Sequence, residues 1–397
     1  MLFQAIDDKK NCVAVYKDMC LFKGSVPEGV THTWCYSTFL SKMPIEYAYL
    51  YSQKTLSESC PDYLRDELDQ CLGQLTAFTI SLKEAKVDLN QHCFYDLMPE
   101  SFIVNFCEIK NQISSHIFSN YARPNNYEFL CDLHKVEKQI SLNRLRLDFS
   151  RVDTTNMNFA NRNKLKSAKS ATPYVRYNIF GARTGRLTTK KNSFPILNLN
   201  KEFRKAVLPT NKRFVELDYN AFEIRVLLYL VGKEQPTQDI HEWNVENVYN
   251  NTITRDEAKT RIFAWLYNLD SKDTMSEGMY NRDQILKKYW DGQAITNPFG
   301  RRIECDKFHA VSYLVQSTAA DIVLRQMIKV NKMLEGKKSF IAFTVHDSVV
   351  IDMADEDIDL LREIKNQFAS FEDTQFLTNV SVGNDFGNMT GVSQWTS

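Results

Sequence analysis

The stretch VELDYNAFEIRVLLYLVGK, residues 215–233, reads first as a buried strand and then as an apolar helix closed by Gly232. Two carboxylates, Asp218 and Glu223, sit where one passes into the other. A second apolar run, SFIAFTVHDSVVIDMAD at 339–355, carries His346 and Asp347 at its centre, the pattern of a hairpin with these two residues at or near the turn. Two apolar strands therefore each end in an aspartate, and an antiparallel sheet can bring Asp218 and Asp347 together. Adjacent carboxylates repel unless a cation lies between them. Hard oxygen ligands suit magnesium, and two such ions can hold the attacking and leaving oxygens of a phosphoryl transfer. Taken singly, each aspartate fits an ordinary turn better than a metal site.

Between the two runs, TRDEAKTRIFAWLYNL at 254–269 has helical period with Thr254 as N-cap. Arg255, Lys259, Phe263 and Tyr267 recur every fourth residue, so two cations and two aromatics share one stripe. A nucleoside triphosphate has this mixed character: cations serve its phosphates and a flat ring serves its base or sugar. An amphipathic helix whose cations snorkel gives the same pattern. AVSYLVQSTAADIVLRQMIKVNKMLEG reads as a long helix stopped at Gly336, DEDIDLLREIKNQFASF as a helix and FLTNVSVGNDFG as a last strand. Upstream, NCVAVYKDMCLFKG reads as a strand or hairpin ending at Gly24, and residues 61–147 as mainly helical, with Pro61 in a first turn and Leu64, Leu68, Leu72 and Leu75 on one face. The fold class is α+β.

The chain has 397 residues, enough for two or three domains, and its 49 basic and 49 acidic side chains cancel. The cancellation is uneven. Residues 154–201 contain no Asp or Glu, yet hold Arg162, Lys164, Lys166, Lys169, Arg176, Arg183, Arg186, Lys190, Lys191 and Lys201, in a loop-like composition. Such a field suits a nucleic-acid backbone, or else a solvated loop face. The 9 cysteines are scattered, odd in number and without a CxxC pair, which argues against zinc or a disulfide framework and for reduced thiols in a cytoplasm. No apolar run is long enough to cross a bilayer and MLFQAIDDKK lacks a signal-peptide core, so the expectation is a soluble, cytoplasmic protein with no membrane partner.

These segments resemble the polymerase region of the family A DNA polymerases, the group containing bacterial DNA polymerase I and many phage replicases. LDYNAFEIRVLLYL resembles the first palm motif, usually DYSQIELR; RDEAKTRIFAWLYN resembles the fingers-helix motif R-x-x-x-K-x-x-x-[FY]-x-x-x-Y; and TVHDSVV resembles the third motif, usually VHDE. TGRL at 184–187, DIH at 239–241 and QSTAAD at 316–321 fall in the family's order, and the match covers residues 174–387. One such motif is weak; six in order are specific.

The resemblance implies a right-hand architecture: an antiparallel palm sheet with helical fingers and thumb, and a small N-terminal β-containing segment. Residues 1–60 would form a cap or exonuclease remnant, 61–180 the thumb, 181–238 and 306–397 the palm, and 239–305 the fingers. Asp218, Asp347 and the main-chain carbonyl of Tyr219 would bind two magnesium ions, with manganese able to substitute. Lys259, Arg255 and His241 would hold the triphosphate, Lys259 also serving catalysis; Phe263 would pack on sugar and base and Tyr267 under the templating pair. Arg186 and Gln316 would touch the minor-groove side of the primer-template, His346 would lie near the primer terminus, and Arg183, Lys190 and Lys191 belong to the same DNA-binding stretch. Glu223 falls on the steric gate, whose side chain fills the space of a 2′-hydroxyl and hydrogen-bonds Tyr267.

The implied activity is template-directed DNA synthesis from primer-template DNA and deoxynucleoside triphosphates, in phage replication, without the chain's own 3′–5′ exonuclease. A separate exonuclease or processivity factor would be a further partner. Asp66, Glu67 and Asp69 lie on an apparent helix, whereas proofreading in this family needs Asp-x-Glu on a strand. Three departures from the family pattern stand out. Ser348 replaces the usual Glu, Asn220 and Ala221 replace Ser-Gln, and Phe308 stands where many relatives have Arg. The alternatives are a catalytically impaired DNA-binding relative, which the missing third carboxylate favours, and a single-subunit RNA polymerase, which Ser348 fits but Glu223 and Phe263 do not.

Overall fold

Val215, Leu217 and Tyr219 are apolar on alternate positions, and burying that face makes the strand they lie on the middle of a sheet. A computed structural model describes residues 2–5, 14–89, 92–155 and 157–392. In it the strand Arg213–Tyr219 pairs antiparallel with Ser348–Met353 on one side and Thr378–Gly383 on the other. Phe340–Val345 and Thr390–Gly391 complete five strands, so the strand read as the last is followed by one more. Leu217 stands opposite Val349 and Val380, and Asp218 opposite Ser348 and Asn379.

The Tyr219 ring is buried, stacked between Phe222 at 4.2 Å and Phe368 at 4.4 Å. These rings come from two helices packed with the sheet, Phe222–Leu230 and Leu361–Ala369, and both contact the 27-residue helix Lys307–Met333. The strand passes into its helix through Ala221 in the left-handed region, φ 44°, a conformation that costs a residue with a Cβ about 1–2 kcal/mol. The helix Arg255–Tyr267 begins at a capping box: Thr254 accepts from the Glu257 amide and Glu257 from that of Thr254.

The chain forms two compact units, residues 1–142 and 143–397. In the first, Ala14–Lys17 and Cys20–Lys23 form the expected hairpin; its first residues, 11–13, lie outside those described. Helices Arg65–Glu84, Glu100–Asn120 and Tyr127–Ser141 follow, and Leu64, Leu68, Phe102, Ile109, Ile113 and Ile117 form the core, with Leu72 and Leu75 at its margin. Among the described residues no helix is long and apolar enough to cross a membrane.

Two sequence expectations are corrected. The basic stretch is not all loop: Phe159–Ser170 is a helix, whose Asn158 accepts from the Asn161 amide as N-cap. The cysteines are not all reduced: Cys93 is disulfide-bonded, while Cys20, Cys35, Cys60, Cys71, Cys107, Cys131 and Cys305 are free, and Cys12 lies outside the described residues.

Candidate active site

A two-residue turn joins Phe340–Val345 to Ser348–Met353, and it consists of His346 and Asp347. His346 is exposed with φ 53°, a conformation that turns of this length favour and that Gly, Asn or Asp adopt more easily. Because Ser348 stands opposite Asp218, the turn delivers Asp347 next to the end of the central strand. Paired residues across such a ladder are about 5 Å apart at Cα.

The electrostatics report the same proximity. Burial, then the charges of Glu216 and Asp347, push the Asp218 carboxyl up to about 7. Burial also raises Asp347, with Glu223 adding to the effect and Arg186 and His346 opposing it. Among the described residues neither aspartate side chain has a hydrogen-bond or ion-pair partner in the protein. Like charges crowded in a half-buried place, with oxygen lone pairs unspent, fit a divalent cation. Among the described residues no three His, Cys, Asp or Glu side chains converge to hold a metal alone. Two aspartates and a backbone carbonyl would leave positions for phosphate oxygens and water. For Tyr219 only the carbonyl is available, since its hydroxyl donates to the Phe368 carbonyl inside the core.

Glu223 sits one helical turn beyond the strand and is held from two sides. Arg186 Nη2 donates to its Oε1 at 2.6 Å, and the Tyr267 hydroxyl donates to its Oε2. Burial and this carboxylate push Tyr267 up to about 12, opposed by a side-chain hydrogen bond with half-buried Gln316 and by the Arg186 charge. Arg186, Glu223, Tyr267 and Gln316 thus form one connected cluster, with Arg186 also felt at Asp347.

On the helix Arg255–Tyr267 the stripe is as expected. Arg255 and Lys259 are exposed, and the Phe263 and Tyr267 rings lie 6.2 Å apart and 6° from parallel. His241 is buried, 6.0 Å from the Phe263 ring, with Nδ1 unpartnered. Its burial, reinforced by the Arg255 and Lys259 charges against Asp239, lowers its pKa and favours the neutral ring. Arg255 forms two hydrogen bonds to Asp239, at 3.1 and 2.9 Å. Lys190 and Lys191 are exposed just beyond the short hairpin of Tyr177–Asn178 and Thr188–Thr189, and Arg183 is exposed in its loop.

Sequence reading missed four supports. Arg225, fully buried, donates to the carbonyls of Asn220, Pro236 and Gln238 and to Asn220 Oδ1, tying the strand end to the segment before His241. Asn220, one of the departures, also donates to Asp239. Arg301 joins the TGRL and QSTAAD segments, forming two hydrogen bonds to buried Asp321 while its guanidinium packs over Gly185. Glu216 accepts from the Ser348 hydroxyl at 2.9 Å. Its signal was present in the sequence: position 216 shares a strand face with 218.

No protein-family model matches the chain. It is 22% identical over 272 residues to DNA polymerase I of Chloroflexus aurantiacus, covering 54% of this chain and 29% of that protein. It is 23% identical over 325 residues to the DNA polymerase of Bacillus phage SP01, covering 62% and 35%, and 21% identical over 241 residues to DNA polymerase I of Rhizobium leguminosarum, covering 47% and 24%. The chain thus matches about a third or less of the length of these curated relatives. Its fold matches the POL domain of Pol1 from M. smegmatis, solved in complex with DNA primer-template and dNTP, at TM-score 0.55 and 11% identity over 72% of this chain and 76% of that one. In sequence the chain is thus similar to DNA polymerases of the DNA polymerase I type, and in fold to a DNA polymerase POL domain.

Proposed function

We propose that this chain is a template-directed DNA polymerase that adds deoxynucleotides to a primer 3′ end. The observation that carries the reading is the His346–Asp347 turn, which sets Asp347 beside Asp218 within reach of the Arg186–Glu223–Tyr267 cluster. The names of the relatives support it. In this reading residues 181–238 and 306–397 are the palm, 239–305 the fingers, 61–180 the thumb and 1–60 a cap.

Asp218, Asp347 and the Tyr219 carbonyl would hold magnesium, which when bound supplies Lewis-acid polarisation and charge neutralisation for phosphoryl transfer. The remaining work falls to the chain. Lys259, Arg255 and His241 hold the triphosphate, which would compete with Asp239 for the Arg255 guanidinium. The parallel rings of Phe263 and Tyr267 offer flat faces to sugar and base. Glu223, fixed by Arg186 and Tyr267, excludes a 2′-hydroxyl, which favours DNA over RNA synthesis. Arg186, Gln316, His346, Arg183, Lys190 and Lys191 contact primer-template DNA. The phage relative supports a role in phage replication. Asp66, Glu67 and Asp69 are exposed on a helix, which supports a solvated face there rather than a proofreading site.

Magnesium-dependent extension of a primed template tests the proposal. Asp218→Ala or Asp347→Ala abolishes extension while primer-template binding, read by fluorescence anisotropy, is kept. Wild-type extension rates in either variant would overturn the assignment.

A further inference from the structure

Ser348 stands where the resembled family has a carboxylate, and the position directly across the ladder is Asp218. Glu216 lies two residues before Asp218 and therefore projects from the same face of the central strand. The buried Ser348 hydroxyl is 2.9 Å from Glu216 Oε1 and 3.0 Å from the Val345 carbonyl, so its one proton is shared between the two acceptors. We propose that Glu216 supplies the third carboxylate of this site from the central strand, in place of the one missing after Asp347. The inference rests on the polymerase reading above.

Ser348 and Glu216 are diagonal neighbours on one sheet face, close enough for a direct hydrogen bond. Carboxylates on both would repel at contact distance, so the face carries one acid and one short hydroxyl. Here the acid is on the strand of Asp218 and the hydroxyl on the strand that follows Asp347. The exchange keeps three carboxylates around the same place while moving one across the ladder. Because among the described residues no three such side chains converge tightly, Glu216 would act at one remove, through its charge. It is a positioning residue, and the Ser348 hydroxyl fixes its orientation between the strand of Asp218 and the hairpin of Asp347.

Manganese titration of the full chain, followed by electron paramagnetic resonance of the free ion, tests this apart from turnover. Glu216→Gln keeps shape and hydrogen-bond acceptance but removes charge. It weakens manganese binding about tenfold, as loss of one nearby charge implies, raises the magnesium concentration for half-maximal primer extension in parallel, and leaves the melting temperature in place. Ser348→Ala, which removes the hydroxyl but no charge, has a smaller effect. The double variant Glu216→Ser with Ser348→Glu, which rebuilds the family pattern, recovers binding. Wild-type manganese affinity in Glu216→Gln, or equal losses in Glu216→Gln and Ser348→Ala, would overturn the proposal. Asp218→Asn separates the two readings. Its loss of manganese binding with Glu216→Gln unaffected removes only the role of Glu216, whereas unchanged binding in Asp218→Asn removes the metal site itself.

Discussion

Glu223 is a short side chain held at both oxygens, and that double restraint gives it a fixed volume. Arg186 takes one oxygen and Tyr267 the other, so the carboxylate cannot swing aside to admit a larger sugar without breaking a charge-assisted bond. Glu223→Ala opens that volume and releases Arg186. The expected outcome is a fall of about 10–200-fold in deoxy- over ribonucleotide selectivity, the range a small steric difference in a pocket supplies. Single-nucleotide primer extension, comparing kcat/KM for the two sugars, measures it; an unchanged ratio would remove Glu223 from the gate. The residues legible from sequence were those whose chemistry contradicts their setting: aspartates closing apolar strands, and cations sharing a stripe with aromatics. Arg225 was not legible. An Arg within an apolar helix reads as its polar edge, and only the tertiary structure shows carbonyls from Asn220, Pro236 and Gln238 converging on it.

At the scale of elements, the long periodic helices and the central strands were legible because each has a face to bury and a stop signal. The caps at Thr254 and Gly336 fall where the sequence places them. Short elements were not: helix Phe159–Ser170 is mostly polar, and the hairpin of Ala294–Thr296 with Arg302–Glu304 has only three residues a side. Tertiary packing decides both. Two junctions between elements can be tested. Gly185 has φ 79°, and a Cβ there would lie 2.6 Å from the Arg301 guanidinium carbon. Gly185→Ala therefore costs about 1–2 kcal/mol for the backbone and also pushes Arg301 off Asp321. Gly232→Ala, at φ 70° with open space around it, carries the backbone cost alone. Thermal melts should rank Gly185→Ala as the more destabilised; equal shifts would mean that Arg301 yields freely. The second junction is Asp239, N-cap of Ile240–Asn247 and partner of Arg255. Burial opposes its charge, but hydrogen bonds from Arg255, Asn220 and the Glu242 amide prevail and hold it well below the usual carboxylate range. A depressed pKa stabilises the fold fully above the unfolded value of about 3.9 and loses that contribution as pH falls toward the folded value. Asp239→Asn should cost about 1–3 kcal/mol at pH 7. Urea midpoints should show the gap from wild type closing below about pH 4, and a gap of constant size would contradict the sign.

On the scale of the whole molecule, each compact unit carries a core of its own. Residues 1–142 bury Leu68, Ile103, Ile109, Ile113 and Ile117; residues 143–397 bury Leu217, Ile224, Ile322, Val349 and Ile364 on the sheet and its helices. Cooperativity follows shared burial, and a chain with two cores departs from two-state unfolding. Calorimetry should therefore resolve two transitions, and paired substitutions should assign them. Ile113 is completely buried among Glu100–Asn120 and its neighbours, so Ile113→Ala removes methylene contacts and leaves a cavity, at a cost of about 2–5 kcal/mol. That change should lower one transition only. Ile322, equally buried in the long helix of the other unit, should on the same substitution lower only the second. The functional consequence differs as well. Asp218, Asp347, Glu223 and the helix Arg255–Tyr267 all belong to residues 143–397, so primer extension should fail on heating in step with the Ile322-sensitive transition. If both substitutions moved a single transition together, the two cores would be one cooperative unit, and loss of activity would track either variant alike.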